Sequence, residues 1–411
     1  MISQWYEPEP GSAGHPTAIA EGLKRSGHEV KVLTGFPNYP LGRVHSGYRQ
    51  SLRQSEWRNG VRVTRVPLAP SHDSSALRRA LSLSSFALSA TLQVSVLNES
   101  DACLVYLSPA TVALPALLLR RLRQVPFAVY VQDLWPDSVL ESGFIGNPHR
   151  AAQIELTIHR LLSRVYREAS TVMVIAPSMK QILMRRGVPE HKISVIPNWI
   201  NESVFRPSQP DPVFAAQLAP GSFWVMYAGG IGDLQGLETA VRAIAHLPNR
   251  TDIKLAILGE GVALPRLKAL AAELRVVDRV RFFTGRPLTD MPSIMAAADV
   301  QLISLRDLPL FQATVPSKLQ AAMACGLPVI TSAPGDAAVL TRRSGGGLAC
   351  AAGNVAELST AFRQMADMPR SELKRLGEAG RAYYASTMSE EFGTAAMAEL
   401  LQTPPGGAVH R

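Results

Sequence analysis

Cysteine is scarce in this chain: Cys103, Cys325 and Cys350 are the three in 411 residues. An odd, widely spaced trio gives neither a disulfide framework nor a CxxC metal pair, and points to a reducing cytosol. Long apolar runs are missing too. A bilayer span needs about 18 consecutive apolar residues, and the strongest stretch, Val112 to Leu119, stops at Arg120 and Arg121. Met1-Ile2-Ser3-Gln4-Trp5 has no basic leader and no apolar core, so no secretory signal is expected. No His, Cys, Asp or Glu cluster has metal-ligand spacing, so neither a protein-held metal nor a cofactor is expected. The aromatics do not interleave with basic residues, which argues against a nucleic-acid stacking platform. Glycine and proline, 30 of each, are too few for a low-complexity or fibrous chain.

What is present is a globular composition, 46% hydrophobic and 18% charged, at a length that suits two domains of about 200 residues. The charge is uneven. Residues 1–200 hold 22 Lys and Arg against 14 Asp and Glu, a net of +8, whereas the remainder is nearly neutral. A basic half attracts polyanions or an anionic membrane surface, unless the arginines merely decorate a solvated face.

Short apolar runs alternate with helical patterns from end to end, which predicts α/β architecture with parallel sheets. The first half offers strands at Ile2–Trp5, Val30–Leu33, Val61–Arg65, Ala102–Tyr106, Phe127–Gln132, Thr171–Ala176 and Ile193–Ile196. The second offers Trp224–Tyr227, Lys254–Leu258, Val280–Thr284, Val300–Ser304 and Pro328–Thr331. Helices are expected at Thr17–Ser26, Ala151–Ala169, Leu237–Leu247 and Leu264–Leu274. Four prolines between Asn198 and Ser222 mark a boundary. The expected division is 1–200, a linker 201–222, a second domain 223–385, and a helix and tail 386–411. A first strand of only about four residues implies an upstream start or an unusually short strand.

In open parallel sheets, ligands bind beyond the carboxyl ends of strands, where loops feed helix N-termini. The first such loop contains Gly11, Ser12 and Gly14, small residues that let backbone amides approach an anion. The second is sharper. Strand Trp224–Tyr227 runs into Ala228-Gly229-Gly230-Ile231-Gly232-Asp233-Leu234-Gln235-Gly236, a phosphate cradle without the GK[ST] of a Walker loop. A third site is Pro316-Ser317-Lys318, opening a short helix that stops at Gly326. A lysine in the first turn is unfavourable for the helix dipole unless an anion sits there, which makes Lys318 a ligand candidate. Glu260, His28, Met323 and Cys325 are expected to be structural.

Together these residues resemble a known family. Gly27-His28-Glu29-Val30, Pro37-Asn38-Tyr39-Pro40-Leu41-Gly42, Gln132-Asp133-Leu134-Trp135-Pro136-Asp137, Ile196-Pro197-Asn198-Trp199, the glycine loop and Pro316-Ser317-Lys318 follow one another in this order. The chain resembles a bacterial retaining glycosyltransferase of family 4, and its Pro-Asn-Tyr-Pro and Asp-Leu-Trp-Pro signatures resemble the colanic-acid, O-antigen and capsule branch. The resemblance implies the GT-B fold, two facing Rossmann-like domains with a cleft between them. It implies nucleotide-sugar binding by the second domain, acceptor binding by the first, and transfer with retention in surface polysaccharide biosynthesis.

The departures shape the expected site. Gly230 and Gln235 stand where many relatives carry an Arg and a Lys on the donor diphosphate. Ala313 and Ala321 stand where the family has paired glutamates, and Gln132 where a His precedes the acidic residue. Donor contacts then fall to Gly229, Gly230, Gly232, Gln235, Arg286, Pro316, Ser317 and Gln320. Lys318 stabilises the leaving group and Asp133 orients or deprotonates the acceptor hydroxyl. The alternative is a weak or inactive scaffold in a polysaccharide assembly complex. Expected partners are a nucleotide-sugar, a lipid-linked or other glycan acceptor and an anionic membrane surface, with no nucleic acid; the expected location is cytoplasmic, peripheral at the inner face of the cell membrane.

Overall fold

The computed structural model describes residues 1–11, 14–71, 76–135 and 148–402. The chain divides into two compact units, one of residues 1–197 with 393–411, the other of residues 198–392. Residues 201–222, expected as a linker, cluster with the second unit. There Asp211 caps a short helix, Pro212–Ala215, by accepting from the Phe214 N–H. The expected C-terminal element begins at Glu390 and returns to the first unit within its first turns.

In the first unit, β1 (Lys31–Gly35) pairs parallel with β3 (Val61–Val66), and β2 (Gln54–Arg58) joins β3 antiparallel. A second sheet runs β4-β5-β6-β7, all parallel, through Cys103–Leu107, Phe127–Val131, Thr171–Val174 and Ile193–Val195. The expected strand Ile2–Trp5 is reduced to parallel bridges from Ile2 to Leu33 and Val105. Those bridges still join the two sheets, because Ile2 N–H donates to the Leu104 carbonyl and Ser3 N–H to that of Leu33. The unit is therefore one twisted layer in the order β2-β3-β1-(residues 1–4)-β4-β5-β6-β7. Its central strands are buried on both faces, the condition that produced their unbroken apolar runs.

Two strands escaped the sequence reading. β2, Gln-Ser-Glu-Trp-Arg, lies at the sheet edge and alternates half-buried with exposed residues, so it carries no apolar run. Its turn, Asn59-Gly60, has positive φ at both residues, the conformation that a two-residue hairpin demands. β13 (Gly347–Cys350) is the other, an edge strand opened by glycine.

The second unit is an all-parallel six-stranded sheet in the order β10-β9-β8-β11-β12-β13. Here β8 is Phe223–Ala228, β9 Ile253–Leu258, β10 Val280–Phe283, β11 Val300–Ser304 and β12 Val329–Ser332. Counted from β8 this is the 3-2-1-4-5-6 order of a doubly wound dinucleotide fold. Val225, Tyr227, Leu255 and Ile257 form its core with Val241, Ile244 and Phe362 from the covering helices. Each such side chain contributes roughly 1.5–3 kcal/mol by leaving water. The strand order reverses between β8 and β11, so the loops leaving those two strands diverge and open a crevice.

Candidate functional site

The glycine loop and the helix of Lys318 stand on the two sides of that reversal. The loop follows β8, and β11 leads to the helix Ser317–Ala324. Two hydrogen bonds and a packing contact tie the loop to the segment after β11: Ser304 Oγ donates to the Gln235 carbonyl (2.6 Å), Arg306 N–H donates to the Leu234 carbonyl (2.9 Å), and Gly236 packs on Arg306.

Lys318 reaches across to the loop. Gly229 has φ +136°, and a Cβ there would overlap Lys318 Cε and stand 2.9 Å from Nζ. Glycine is thus required both by the backbone and by the lysine lying on it. The ammonium sits 5.3 Å from the Tyr227 ring centroid, a cation–π distance. Tyr227 is itself fixed, its hydroxyl donating to the Gly230 carbonyl at 2.6 Å. Among the described residues Lys318 has no carboxylate partner, and burial pushes its pKa down. A half-buried cation at a helix N-terminus with no carboxylate partner among the described residues is electrostatically incomplete.

The loop amides are less available than their glycines suggest. Gly229 N–H donates to the Leu258 carbonyl (2.9 Å), Ile231 N–H to that of Glu260 (2.8 Å) and Gly232 N–H to Gln235 Oε1 (2.9 Å). Among the described residues the Gly230 N–H donates to nothing, and Gly230 is exposed. The expected cradle therefore reduces to Gly230 and Lys318. Gln235, expected on the ligand, closes the loop on itself instead. Gln320, expected likewise, is buried, and its carboxamide donates to the Asn198 carbonyl. Pro316 caps the helix in extended conformation, with Ser317 exposed beside it. Arg286 is exposed beyond β10. Ala321, Met323 and Cys325 are buried, and burial pushes the Cys325 thiol up to about 12.

The sequence reading missed the loop that supports this one. Gly259 in Gly259-Glu260-Gly261 has φ +142°, and a Cβ there would overlap the Gly229 carbonyl oxygen. Two strand ends, β8 and β9, thus continue as a pair of backbone layers in contact. The signal was the glycine pair directly after an apolar strand.

In the first unit the corresponding reversal lies between residues 1–4 and β4. Gly11 is exposed with φ +68°, and Gly14 opens the helix Gly14–Arg25; Ser12 lies outside the described residues, as do Pro136 and Asp137. Charged side chains organise this end. Glu9 is buried and accepts from the amides of Asn38 (2.9 Å), Tyr39 (2.9 Å) and Tyr6 (3.1 Å), which ties the first loop to the Pro37-Asn38-Tyr39-Pro40 motif. Arg65 is wholly buried; it donates to Glu56 Oε1 at 2.6 Å, to the Gly35 carbonyl at 3.2 Å and to the Glu7 carbonyl. The Tyr48 ring covers its guanidinium at 5.0 Å.

Asp133, at the end of β5, is exposed and accepts from Ser108 Oγ at 2.8 Å. Its charge and, more strongly, burial raise the Tyr106 pKa. The His15 ring lies 5.9 Å from that of Tyr106 and 6.2 Å from that of Tyr130, and burial pushes its pKa down to about 4, so it is neutral at physiological pH. His15 was legible only as part of the first loop. Tyr130 is wholly buried and its hydroxyl donates to the Ile196 carbonyl (3.0 Å), so the groups near these strand ends that can hydrogen-bond a polyhydroxylated molecule are the Asp133 carboxylate and the Ser108 hydroxyl that holds it.

Residues 11–199 match a family model described as Glycosyl transferase 4-like domain, and residues 213–383 match Glycosyl transferases group 1. WcaI of Escherichia coli (strain K12), named for colanic acid biosynthesis as a glycosyl transferase, is 28% identical over 330 residues, 78% of this chain and 79% of its own. WbjE of Pseudomonas aeruginosa, named as a glycosyltransferase, is 27% identical over 235 residues, 57% of each chain. The crystal structure of Anabaena Alr3699/HepE in complex with UDP aligns with TM-score 0.68 at 16% identity, covering 97% of this chain and 98% of that one. WaaG, a glycosyltransferase involved in lipopolysaccharide biosynthesis, aligns with TM-score 0.61 at 17% identity, covering 98% and 99%.

Proposed function

Because the chain is a GT-B glycosyltransferase, a glycosyl transferase 4-like domain followed by a group 1 domain, we propose that it moves a hexose from a nucleotide diphosphate donor to a lipid-linked glycan during surface polysaccharide assembly, with retention at the anomeric carbon. The observation that carries the donor half is Lys318, a half-buried cation lying on Gly229 with no carboxylate partner among the described residues. Breaking the glycosidic bond gathers negative charge on the departing diphosphate. A cation and the Gly230 amide waiting at a helix N-terminus stabilise that charge without reorganising, and one such contact is worth about 3 kcal/mol. Arg286 and Ser317 supply outer contacts. Asp133, oriented by Ser108, positions the acceptor hydroxyl, with His15 and the two tyrosines beside it.

The probes are UDP and UDP-glucose, with which Anabaena HepE has been crystallised. UDP is expected to raise the melting temperature of the wild type, and Lys318→Ala to abolish the shift and lower transfer by about 100-fold. Asp133→Asn lowers transfer while UDP affinity holds. An undiminished shift in Lys318→Ala removes the lysine from the site. A second reading, a scaffold that binds donor without transfer, draws support from the engaged Gln235 and Gln320 and from Ala313 and Ala321; UDP-glucose binding without transfer or hydrolysis would favour it.

The first unit supports work at a membrane surface, on the cytoplasmic side. Leu81, Leu88 and Leu92 are exposed on the helix Ala76–Leu92, and Leu122 on the helix Leu114–Arg123, whose last turn carries Arg120, Arg121 and Arg123. Among the described residues no helix is long and apolar enough to cross a membrane. Each arginine near an anionic leaflet contributes about 1 kcal/mol, screened by salt. Pelleting with phosphatidylglycerol vesicles at low salt is expected, and loss of it when the three arginines become glutamine; equal pelleting by that variant rejects the surface.

A further inference from the structure

The outer face of β3 and its neighbours carries two arginines, Arg53 and Arg62, with no carboxylate partner among the described residues. Along β3, Val63 and Arg65 point inward and are fully buried, whereas Arg62 is exposed beside a hollow that Thr64 also lines. β1 places Lys31 directly opposite Arg62, and Arg53 precedes the end of β2, beyond the Gln54–Arg65 pair. The turn Val94–Leu97 and the residues after it, Asn98 and Glu99, form the opposite wall. These side chains line a cavity of about 280 Å³.

The two faces of the same strands treat arginine oppositely. On the inner face Glu56 serves both guanidiniums, Arg65 at 2.6 Å and Arg58 at 3.4 Å. On the outer face Arg53 and Arg62 have no carboxylate partner among the described residues. Lys31 has one weak partner, Glu99 at 3.4 Å, and that carboxylate is 89% exposed. Three cations against one solvated carboxylate leave the hollow net positive. Thr64 and Asn98 add hydrogen-bonding groups. Trp57, the register partner of Arg62, is 71% exposed at its edge and offers a flat apolar face.

Forked guanidiniums, an ammonium and neutral donors around one hollow are the recognition chemistry of a phosphate group. The volume falls just below the ~300 Å³ at which small-molecule sites begin, which suits a single phosphate ester rather than a dinucleotide. We propose that this hollow in the first unit binds a phosphate ester, carried by a sugar phosphate or by a phospholipid headgroup. It is built from residues other than those assigned to donor or acceptor.

The test uses the full chain with Lys318→Ala, so that the cation of the second unit cannot be the binder. Calorimetric titration with glucose 1-phosphate and with inorganic phosphate is expected to show binding that survives Lys318→Ala. Adding Arg53→Gln with Arg62→Gln weakens it at least tenfold, while the melting curve stays unchanged. The same charge removed at Arg121 and Arg123 leaves the ester affinity unaltered. If the soluble esters do not bind but pelleting with 3:7 phosphatidylglycerol–phosphatidylcholine vesicles falls in the Arg53–Arg62 variant, the headgroup is the source. Two results overturn the proposal: neither ester nor vesicle binding depends on Arg53 and Arg62, or the Arg121–Arg123 variant loses ester affinity equally.

Discussion

The two units solve one problem with opposite materials. Each must hold several loops at the carboxyl ends of a parallel sheet in fixed positions. The first unit does it with buried charge: Glu9 gathers three amides from two loops, and Arg65 gathers two carbonyls, a carboxylate and a ring. The second does it chiefly with backbone and neutral side chains, stacking Gly229 on Gly259, closing Gly232 on the Gln235 carboxamide and bonding the loop carbonyls to the hydroxyls of Tyr227 and Ser304. Where charge is spent on architecture it is unavailable to a ligand. Where glycine does the holding, Lys318 keeps its charge without a carboxylate partner among the described residues, whereas the neighbouring Arg266 and Arg306 are paired with Asp233 and Glu238. The difference separates strand ends held by partnered charges, Glu9 and Arg65, from strand ends where Lys318 has no carboxylate partner among the described residues.

The sharpest way to break the comparison is Arg65→Met. It leaves Glu56 with Arg58 as its remaining ion-pair partner and leaves the carbonyls of Glu7 and Gly35 without the guanidinium, and a loss of about 3 kcal/mol in urea unfolding is expected, with UDP binding retained by whatever protein folds. A cost below 1 kcal/mol would mean that the first unit does not rest on its buried charge. Gly259→Ala probes the other material. Its backbone conformation alone costs about 1–3 kcal/mol, the overlap with the Gly229 carbonyl adds to that, and UDP affinity falls although residue 259 need not touch the ligand. Unchanged affinity would show that the second loop does not shape the first. The smallest effect is the most pointed. Lys318→Met replaces a half-buried cation, without a carboxylate partner among the described residues, by an apolar chain of similar length, so the unliganded melting temperature rises, by roughly 2 °C. A fall instead would show that Lys318 is compensated within the protein.

The same contrast explains what could be read from the chain beforehand. Strands buried on both faces, such as Cys103–Leu107 and Phe127–Val131, are continuous apolar runs, and they were visible. Edge strands carry half the burial and half the signal, which is why Gln54–Arg58 was passed over although Asn59-Gly60 announced its hairpin. The second-unit site was legible because glycines and a helix-start lysine are local signals. The employment of Gln235 and Gln320 was not, since a carboxamide on a ligand and one on a backbone atom look alike in sequence. Glu9 and Arg65 were hidden by distance: their partners lie about 30 and 58 residues away, and only the fold brings them together.

All three cysteines, Cys103, Cys325 and Cys350, are buried, at 1%, 5% and 5% exposure, and burial raises each thiol's pKa. At neutral pH none presents a thiolate to a reagent in water. The wild-type surface is in effect blank to maleimide, so a single cysteine placed at Trp57 or Val262, both well exposed, would take a fluorophore or spin label with no prior cysteine removal. One label in each unit would turn the pair into a ruler for following the protein as it meets nucleotide.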